Sequence, residues 1–522
     1  MTDMPVNGLI GDLIGDVPMN DLIVLTVAVP LLMAFLLPSL SRASFTLSRL
    51  VAPVVIAALI FIPVCIWALG QQPYSINLGL FAAPVGISFY VDSLSLLFVS
   101  AILFVPLVLW PWYFDADESI DTSTRRISLT LLIIAAACGI ALSADLFNLY
   151  VFYELLAVAS YGLVAGGNLR PNGSSFAAAF RYLIISAFGS VLALLAIGII
   201  YFQAGTLNLA HLAQLQLSIT DPLNLVALTM LIIGFGVKAE IFPLNSWVPE
   251  VYMGTSRRIA GLLAGLVSKI AVLIILKIVL LVYPHDESRQ LLLLLGLLSV
   301  IIGEFAAMRA TDLIRMLSWS SIAQLGLVFI AFSLPGKAGL IAGLALMLHH
   351  MIVKPGLFLI AEKWGGNITG LSGAAVNSPL MAVFFVIFAL SMVGVPPLPG
   401  FWAKFLLLTG LSEHQSYIAI AIVLIMTIIE TNYLFRVVTR LYEKTEGVSG
   451  FAAFRAGDKF STTILAGLLL LVTINISVVS DQLEGIAVEA TDTIKQVETI
   501  LPVSSGLSKA SLSTGPLSGG SL

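Results

Sequence analysis

Long apolar runs separated by short polar stretches set the pattern of this chain. A membrane-spanning helix needs about 20 mostly apolar residues. About fourteen runs meet that need, near 22–40, 50–69, 91–113, 127–143, 146–166, 176–202, 223–248, 259–283, 291–308, 312–333, 338–361, 379–411, 417–442 and 461–480. The pattern predicts an all-α integral membrane protein. Segment 74–90 (YSINLGLFAAPVGISFY) alternates instead and holds Gly and Pro, which predicts a hairpin outside the bilayer. Residues 1–21 lack a basic n-region and carry Asp3, Asp12, Asp16 and Asp21, so they do not read as a signal peptide. The tail after about residue 502 is rich in Ser, Gly and Leu and reads as disordered.

Composition agrees with this pattern. The 522 residues are 59% hydrophobic and only 10% charged, against about 25% charged in soluble proteins. Such a surface needs lipid as its solvent. No basic patch argues for nucleic acid. Cys65 and Cys138 lie in apolar runs and are too few for an Fe–S cluster or a Cys-rich zinc site, and no disulfide is expected between them. Neither a G-x-G-x-x-G after a strand nor a P-loop appears, so no cofactor is expected in the chain.

Loop charges fix a topology. Loops after odd-numbered runs carry Arg42, Arg49, Arg125, Arg126, Arg170, Arg257, Arg258, Arg309, Lys363, Lys444, Arg455 and Lys459. Loops after even-numbered runs carry only Arg289 and Lys337. This asymmetry predicts odd loops in the cytoplasm and both termini outside a cell (inner) membrane.

Against this background, ionisable residues inside the runs stand out. A Lys, Arg or Asp at a helix centre costs about 2.5–3.5 kcal/mol on insertion scales. Yet Glu154, Lys238, Glu240, Lys269, Glu304, His349, His350, Lys354, Lys404 and Glu430 all sit within apolar sequence. A local ion pair or a snorkelling end residue accounts for single cases, and suits Arg181, Lys277 and Arg436 best. It does not suit an array that spans at least six helices and mixes Glu, Lys and His. Such an array is what a proton relay requires.

Two runs are also broken. Run 7 contains Gly234, Gly236 and Pro243, and run 12 contains Gly394, Pro396, Pro397, Pro399 and Gly400. Proline removes a backbone donor, and freed backbone at membrane depth is tolerated only beside protein or a wet cavity. Paired broken helices are the sequence pointer to a transporter site. A simple packing kink is the bland reading, but a lysine accompanies each break: Lys238 in run 7 and Lys404 in run 12. The breaks lie five runs apart, which predicts an internal repeat. Five is odd, so the second unit is inverted. The expected organisation is an extracytoplasmic segment (1–21), helices 1–3 with the hairpin (22–125), repeats over 126–285 and 286–445, helix 14 (446–480) and a polar, partly disordered tail (481–522).

At these residues the chain resembles the antiporter-like membrane subunits shared by Complex I, membrane-bound hydrogenases and Mrp-type sodium/proton antiporters. The motifs are FYELLAVASYGLV, KAEIFPLNSWVPEVY, SKIAVLIILK, DLIRMLSWSSIAQLG, HHMIVKPGLFL and GVPPLPGFWAKF. They cover roughly residues 90–445, and they look most like the Mrp D subunit. The resemblance implies fourteen helices with two inverted five-helix units. It implies that Glu154 and Lys238 form a coupling ion pair, that Lys269, His350 and Lys354 carry protons along a central axis, and that Lys404 ends the second half-channel. Glu240, Glu304, His349 and Glu430 are possible accessory groups. Asn245, Arg315 and Ser256–Arg257–Arg258 depart from the family pattern, and Glu240 and Glu430 are extra acids.

The expected function is proton movement, exchanged for Na+, within a multisubunit Mrp-type antiporter. The expected partners are other membrane subunits, protons, Na+ and lipid. The alternatives are the proton-pumping arm of an NADH:quinone oxidoreductase or membrane-bound hydrogenase, and the membrane subunit of an inorganic-carbon uptake system. In each case no bond-making site is visible in this chain.

Overall fold

Alternation of apolar runs with short polar joints becomes a succession of helices. The computed structural model describes residues 19–79, 81–110, 119–166, 174–444 and 453–501. Asp3, Asp12, Asp16, Arg170 and the tail from 502 lie outside the described residues. Helices α1 (Leu25–Ala43) and α2 (Phe45–Leu69) lead into an antiparallel hairpin of β1 (Tyr74–Leu78) and β2 (Ile87–Val91), in register from Tyr74 opposite Val91 to Leu78 opposite Ile87. This is the hairpin expected from the alternation. Next come α3 (Ser93–Val108), α4 (Ile120–Leu142), α5 (Leu146–Ala165), α6 (Ser174–Ala204), α7 (Pro222–Gly236), α8 (Trp247–Gly254) and α9 (Arg257–Val282). The second half holds α10 (Asp286–Arg309), α11 (Leu313–Phe332), α12 (Gly336–Trp364), α13 (Pro379–Val393), α14 (Pro399–Glu413) and α15 (Tyr417–Tyr442), with α16 (Ala456–Ile474) after it. Among the described residues eleven helices are long and apolar enough to cross a membrane, and α3, α7 and α13 are shorter apolar helices. Large apolar side chains such as Phe35, Phe61, Phe202, Phe176 and Ile428 stand exposed on the outside, as a lipid-facing surface allows. Cys65 and Cys138 are free thiols.

Both expected breaks are present. α7 stops at Gly236 and helix resumes at Trp247, with Glu240 in the left-handed region at φ 59° between them. The Phe242 N–H, freed from the helix ladder, donates to Ser299 Oγ at 3.0 Å. α13 stops at Val393, Gly394 turns the chain at φ 91°, and α14 starts at Pro399. Gly400 passes so close to α13 that an added Cβ would meet the Ser391 carbonyl oxygen at 1.7 Å.

The same joint is built twice. Asp145 caps α5 by accepting from Asn148 N at 2.9 Å, and Asp312 caps α11 by accepting from Ile314 N at 2.9 Å. Asp145 bridges to Asn208 and Asp312 to Asn367. Leu146 N donates to Leu207 O at 2.8 Å, and Leu313 N to Gly366 O at 2.9 Å. Cations then close the preceding helices. Lys277 Nζ donates to the carbonyls of Ile140, Ala141 and Ser143 at 3.2, 2.8 and 2.9 Å. Arg436 donates to Met308 O at 3.0 Å and Ala310 O at 2.9 Å. Each satisfies carbonyls that a helix C-terminus leaves free. Arg181, grouped with these two in the sequence, instead pairs with Glu250 at an exposed position.

Arg258 donates to Leu109 O at 2.7 Å and Trp110 O at 2.9 Å and pairs with Asp458 at 2.5 Å, so the chain after α3, the first turn of α9 and the first turn of α16 meet there.

The C-terminal region differs from expectation. The last run ends at Ile474 rather than 480, and residues expected to be a polar tail form α17 (Ile476–Thr491) and α18 (Thr493–Ile500). Leu483, Ile486, Ala487 and Ala490 recur at three- and four-residue spacing and are buried. The intervening acids mask that stripe in an average over the segment. α17 is tied down by a 2.7 Å Lys337–Glu484 ion pair, and α18 by Ser75 Oγ, which donates to Thr499 O at 2.9 Å.

Candidate functional site

The break after α7 places Lys238 in the protein interior. Its ammonium donates to Ser186 Oγ of α6 and sits 4.1 Å from the Tyr153 ring centroid and 5.9 Å from that of Tyr182. Glu154, half-buried on α5, accepts from Ser190 Oγ instead. Glu154 and Lys238 therefore do not form the direct ion pair that the resemblance implied. Two serines one helical turn apart hold them separately. Gly189 lies between those serines, and its missing Cβ lets α6 approach α7: a methyl there would meet Gly234 O at 2.8 Å.

Glu240 follows in the same break and is fully buried. It does not pair with Lys238. Its Oε1 accepts from Tyr252 Oη at 2.5 Å, and Lys269 and Lys354 lie within its electrostatic reach. Lys269 follows a wide π-helical turn, Leu263–Val267, in α9. It donates to the Ala264 carbonyl in that turn and to Ser268 Oγ at 3.2 Å. Pro355 packs on Gly265, where an added Cβ would meet Pro355 Cγ at 2.4 Å. This contact sets α12 against α9 and brings Lys354 toward Lys269. Lys354 donates to Leu317 O at 3.0 Å and Ser320 Oγ at 2.9 Å.

The two histidines differ. His349 meets Ser391 Oγ at 2.9 Å through Nε2. His350 is buried, and neither ring nitrogen has a hydrogen-bond partner among the described residues; Lys269 and Lys354 lie within its electrostatic reach. Beyond Lys354 come Glu304 and Glu430, both buried and near each other and Lys404. Lys404 pairs with Glu430 at 2.5 Å and reaches the Val393 carbonyl at 3.3 Å, which the second break leaves free. Gln324 Nε2 donates to the other Glu430 oxygen at 2.6 Å.

Neighbouring groups thus lead from Glu240 through Lys269, His350 and Lys354 to Glu304, Glu430 and Lys404, and Lys238 stands two residues before Glu240 in the same break. Every expected residue except Glu154 is buried. Tyr153, Tyr182, Ser186, Ser190, Tyr252, Ser320 and Gln324 were not singled out from the sequence. The Ser–x–x–x–Ser spacing around Gly189 was the available signal for two of them. Outside the spans, hydrogen bonds from Arg440 and Ser372 hold the exposed Glu443 carboxyl below its usual range.

Residues 143–430, which include all of the groups in this string, match the family described as NADH:quinone oxidoreductase/Mrp antiporter, transmembrane. The chain belongs to this family. It is an antiporter-like, multi-pass membrane subunit of the Mrp and Complex I type. It is 34% identical over 327 residues to NADH-quinone oxidoreductase subunit N of Desulforudis audaxviator, an alignment covering 61% of this chain and 64% of that protein. It is 29% identical to the D subunit of the Na(+)/H(+) antiporter of Alkalihalophilus pseudofirmus, covering 78% of this chain and 84% of that one. Among solved structures, a chain of an archaeal membrane-bound sulfane sulfur reductase superposes with a TM-score of 0.84 at 27% identity, over 92% of this antiporter-like subunit and 99% of its counterpart. A chain of the Mrp complex from Dietzia sp. DQ12-45-1b has the same fold, with a TM-score of 0.84 at 22% identity over 93% and 100% of the two chains.

Proposed function

We propose that this chain is the proton-translocating subunit of a multisubunit Mrp-type cation/proton antiporter, exchanging H+ for Na+. The observation that carries the proposal is the buried string from Lys238 to Lys404, because buried ionisable groups are costly unless they pair or exchange protons. A neutral base beside a protonated group accepts its proton, so each adjacent pair supports one transfer step. In this reading Lys238 passes its proton toward Lys269. His350 and Lys354 carry it along the middle of the membrane, and Lys404 releases it. Glu154 supplies the counter-charge that draws the Lys238 ammonium back. Glu240, Glu304, His349 and Glu430 tune the string.

The same reading assigns fourteen spans. α7 with α8 makes one crossing and α13 with α14 another. The duplicated joints at Asp145/Asn208 and Asp312/Asn367, with the carbonyl caps Lys277 and Arg436, support two five-helix units over 126–285 and 286–445. The odd span number inverts one relative to the other. Loop charges support cytoplasmic odd loops in the cell membrane.

The test uses the complex purified through this chain and placed in sealed vesicles. Sodium-dependent collapse of a pH gradient, lost in Lys238→Ala, is the expected result. Full transport by Lys238→Ala would sink the relay. A second reading, the proton-pumping arm of a quinone oxidoreductase, is favoured by the 34% identity to a subunit N. Co-purifying flavin and Fe–S subunits, with proton pumping indifferent to Na+, would select it.

A further inference from the structure

Among the described residues no carboxylate hydrogen-bonds the Lys238 ammonium, and Glu154 acts on it from a distance. The ammonium donates to Ser186 and lies over the Tyr153 face at 4.1 Å, with the Tyr182 ring at 5.9 Å. A cation within about 6 Å of an aromatic face is attracted by the ring quadrupole, most strongly when water is excluded. Both rings are fixed by other contacts. Tyr153 Oη donates to Gly234 O at 3.0 Å, and its ring meets Phe235 edge-on at 4.9 Å. Tyr182 stacks on Trp247 at 4.3 Å, and Trp247 Nε1 donates to Val237 O at 3.0 Å. Hence these rings grip both sides of the break that carries Lys238. Glu154 is kept one helical turn away by Ser190. Among the described residues, Tyr153 and Glu154 on α5 and Tyr182 on α6 act on Lys238, and Glu240 of the same break acts on Tyr182. Trp247 of α8, which stacks on Tyr182, is neutral.

We propose that Tyr153, Tyr182 and Ser186 form a resting cradle for the protonated Lys238 side chain, which competes with Glu154 for the ammonium. Ser186 and Ser190 then mark two stations along α6, and the lysine moves by one turn to join its counter-charge. These three are positioning residues, and the proposal rests on the reading of Lys238 as a relay lysine. The cradle favours the charged lysine in the separated state. Without the ring, the proton departs at lower pH.

The test is the pH profile of proton transport by the assembled complex in vesicles. Tyr153→Leu should move the alkaline limb to lower pH by about half to one unit, a threefold to tenfold change in proton affinity. Tyr153→Phe keeps the ring and should return the midpoint toward wild type. Ser186→Ala should shift it in the same direction as Tyr153→Leu, and carries the test alone if the leucine variant does not assemble. Unmoved midpoints in Ser186→Ala and in any assembled Tyr153→Leu, with Lys238→Ala inactive, would overturn the cradle and leave the relay standing. A fully active Lys238→Ala would overturn both.

Discussion

Lys404 Nζ lies 2.5 Å from Glu430 Oε2, and both side chains are buried. The lysine of the first break, Lys238, is held by a hydroxyl and two rings instead. The two lysine-bearing breaks are therefore occupied differently: one lysine is paired with a carboxylate, the other is parted from its expected partner.

The buried pair makes Glu430 testable. Removing one partner of such a pair leaves an uncompensated charge and costs about 3–5 kcal/mol. Glu430→Gln keeps the shape but strands Lys404, so thermal melting of the detergent-solubilised complex should drop by that order. Replacing both residues with leucine should recover most of the stability, since buried pairs are often no better than apolar packing. Proton transport should stay lost in the double variant. Transport that survives in it would make the pair structural.

His350 and His349 are adjacent in sequence and should respond in opposite ways. A buried polar group without a partner carries a desolvation penalty of about 1–3 kcal/mol. His350→Leu removes such a group, so melting should hold steady or rise while transport falls about tenfold or more. His349→Leu breaks the 2.9 Å contact with Ser391 and should lose about 1 kcal/mol. A His350→Leu complex with wild-type transport would remove that residue from the relay.

Spans, breaks and buried charges were legible because each obeys a rule that acts on sequence directly: the length of a bilayer crossing, the missing donor of proline, the cost of a charge in hydrocarbon. Lys238 and Lys404 were found that way. The partners of those charges were not. Ser186 and Tyr153 are ordinary residues on apolar helices, and only packing, set by Gly189 against Gly234, brings them to the lysine. Glu154 and Lys238 meet hydroxyls rather than each other for the same reason, because a serine spacing decides which oxygen each charge meets. The stripe on α17 was hidden by its acidic neighbours.

Lys277 and Arg436 should be structural. Each places a cation on carbonyls at the end of another helix, and hydrogen bonds involving a charged group contribute about 1.5–3 kcal/mol. Lys277→Met and Arg436→Met should each lower stability by about 2 kcal/mol, measured by melting. Proton transport per assembled complex should remain near wild type. A selective loss of transport, with melting unchanged, would move either residue into the ion path.

Two glycines of α6 offer the closest control on the crossing that builds the site. Around Gly198 nothing lies within 4 Å of an added Cβ. Gly198→Ala should therefore stabilise the helix by up to about 1 kcal/mol through its propensity alone. At Gly189 the same methyl would fall 2.7 Å from Val237 Cγ2 and 2.8 Å from the Gly234 carbonyl. That carbonyl is backbone and cannot turn aside, so α6 and α7 must separate, at about 1–3 kcal/mol. The separation acts between Ser186 and Ser190, where the ammonium and the carboxylate are anchored. Gly189→Ala should thus lose stability and most of its proton transport together, while Gly198→Ala keeps its transport. Equal behaviour of the two variants in melting and transport would show that the α6–α7 contact does not position Lys238.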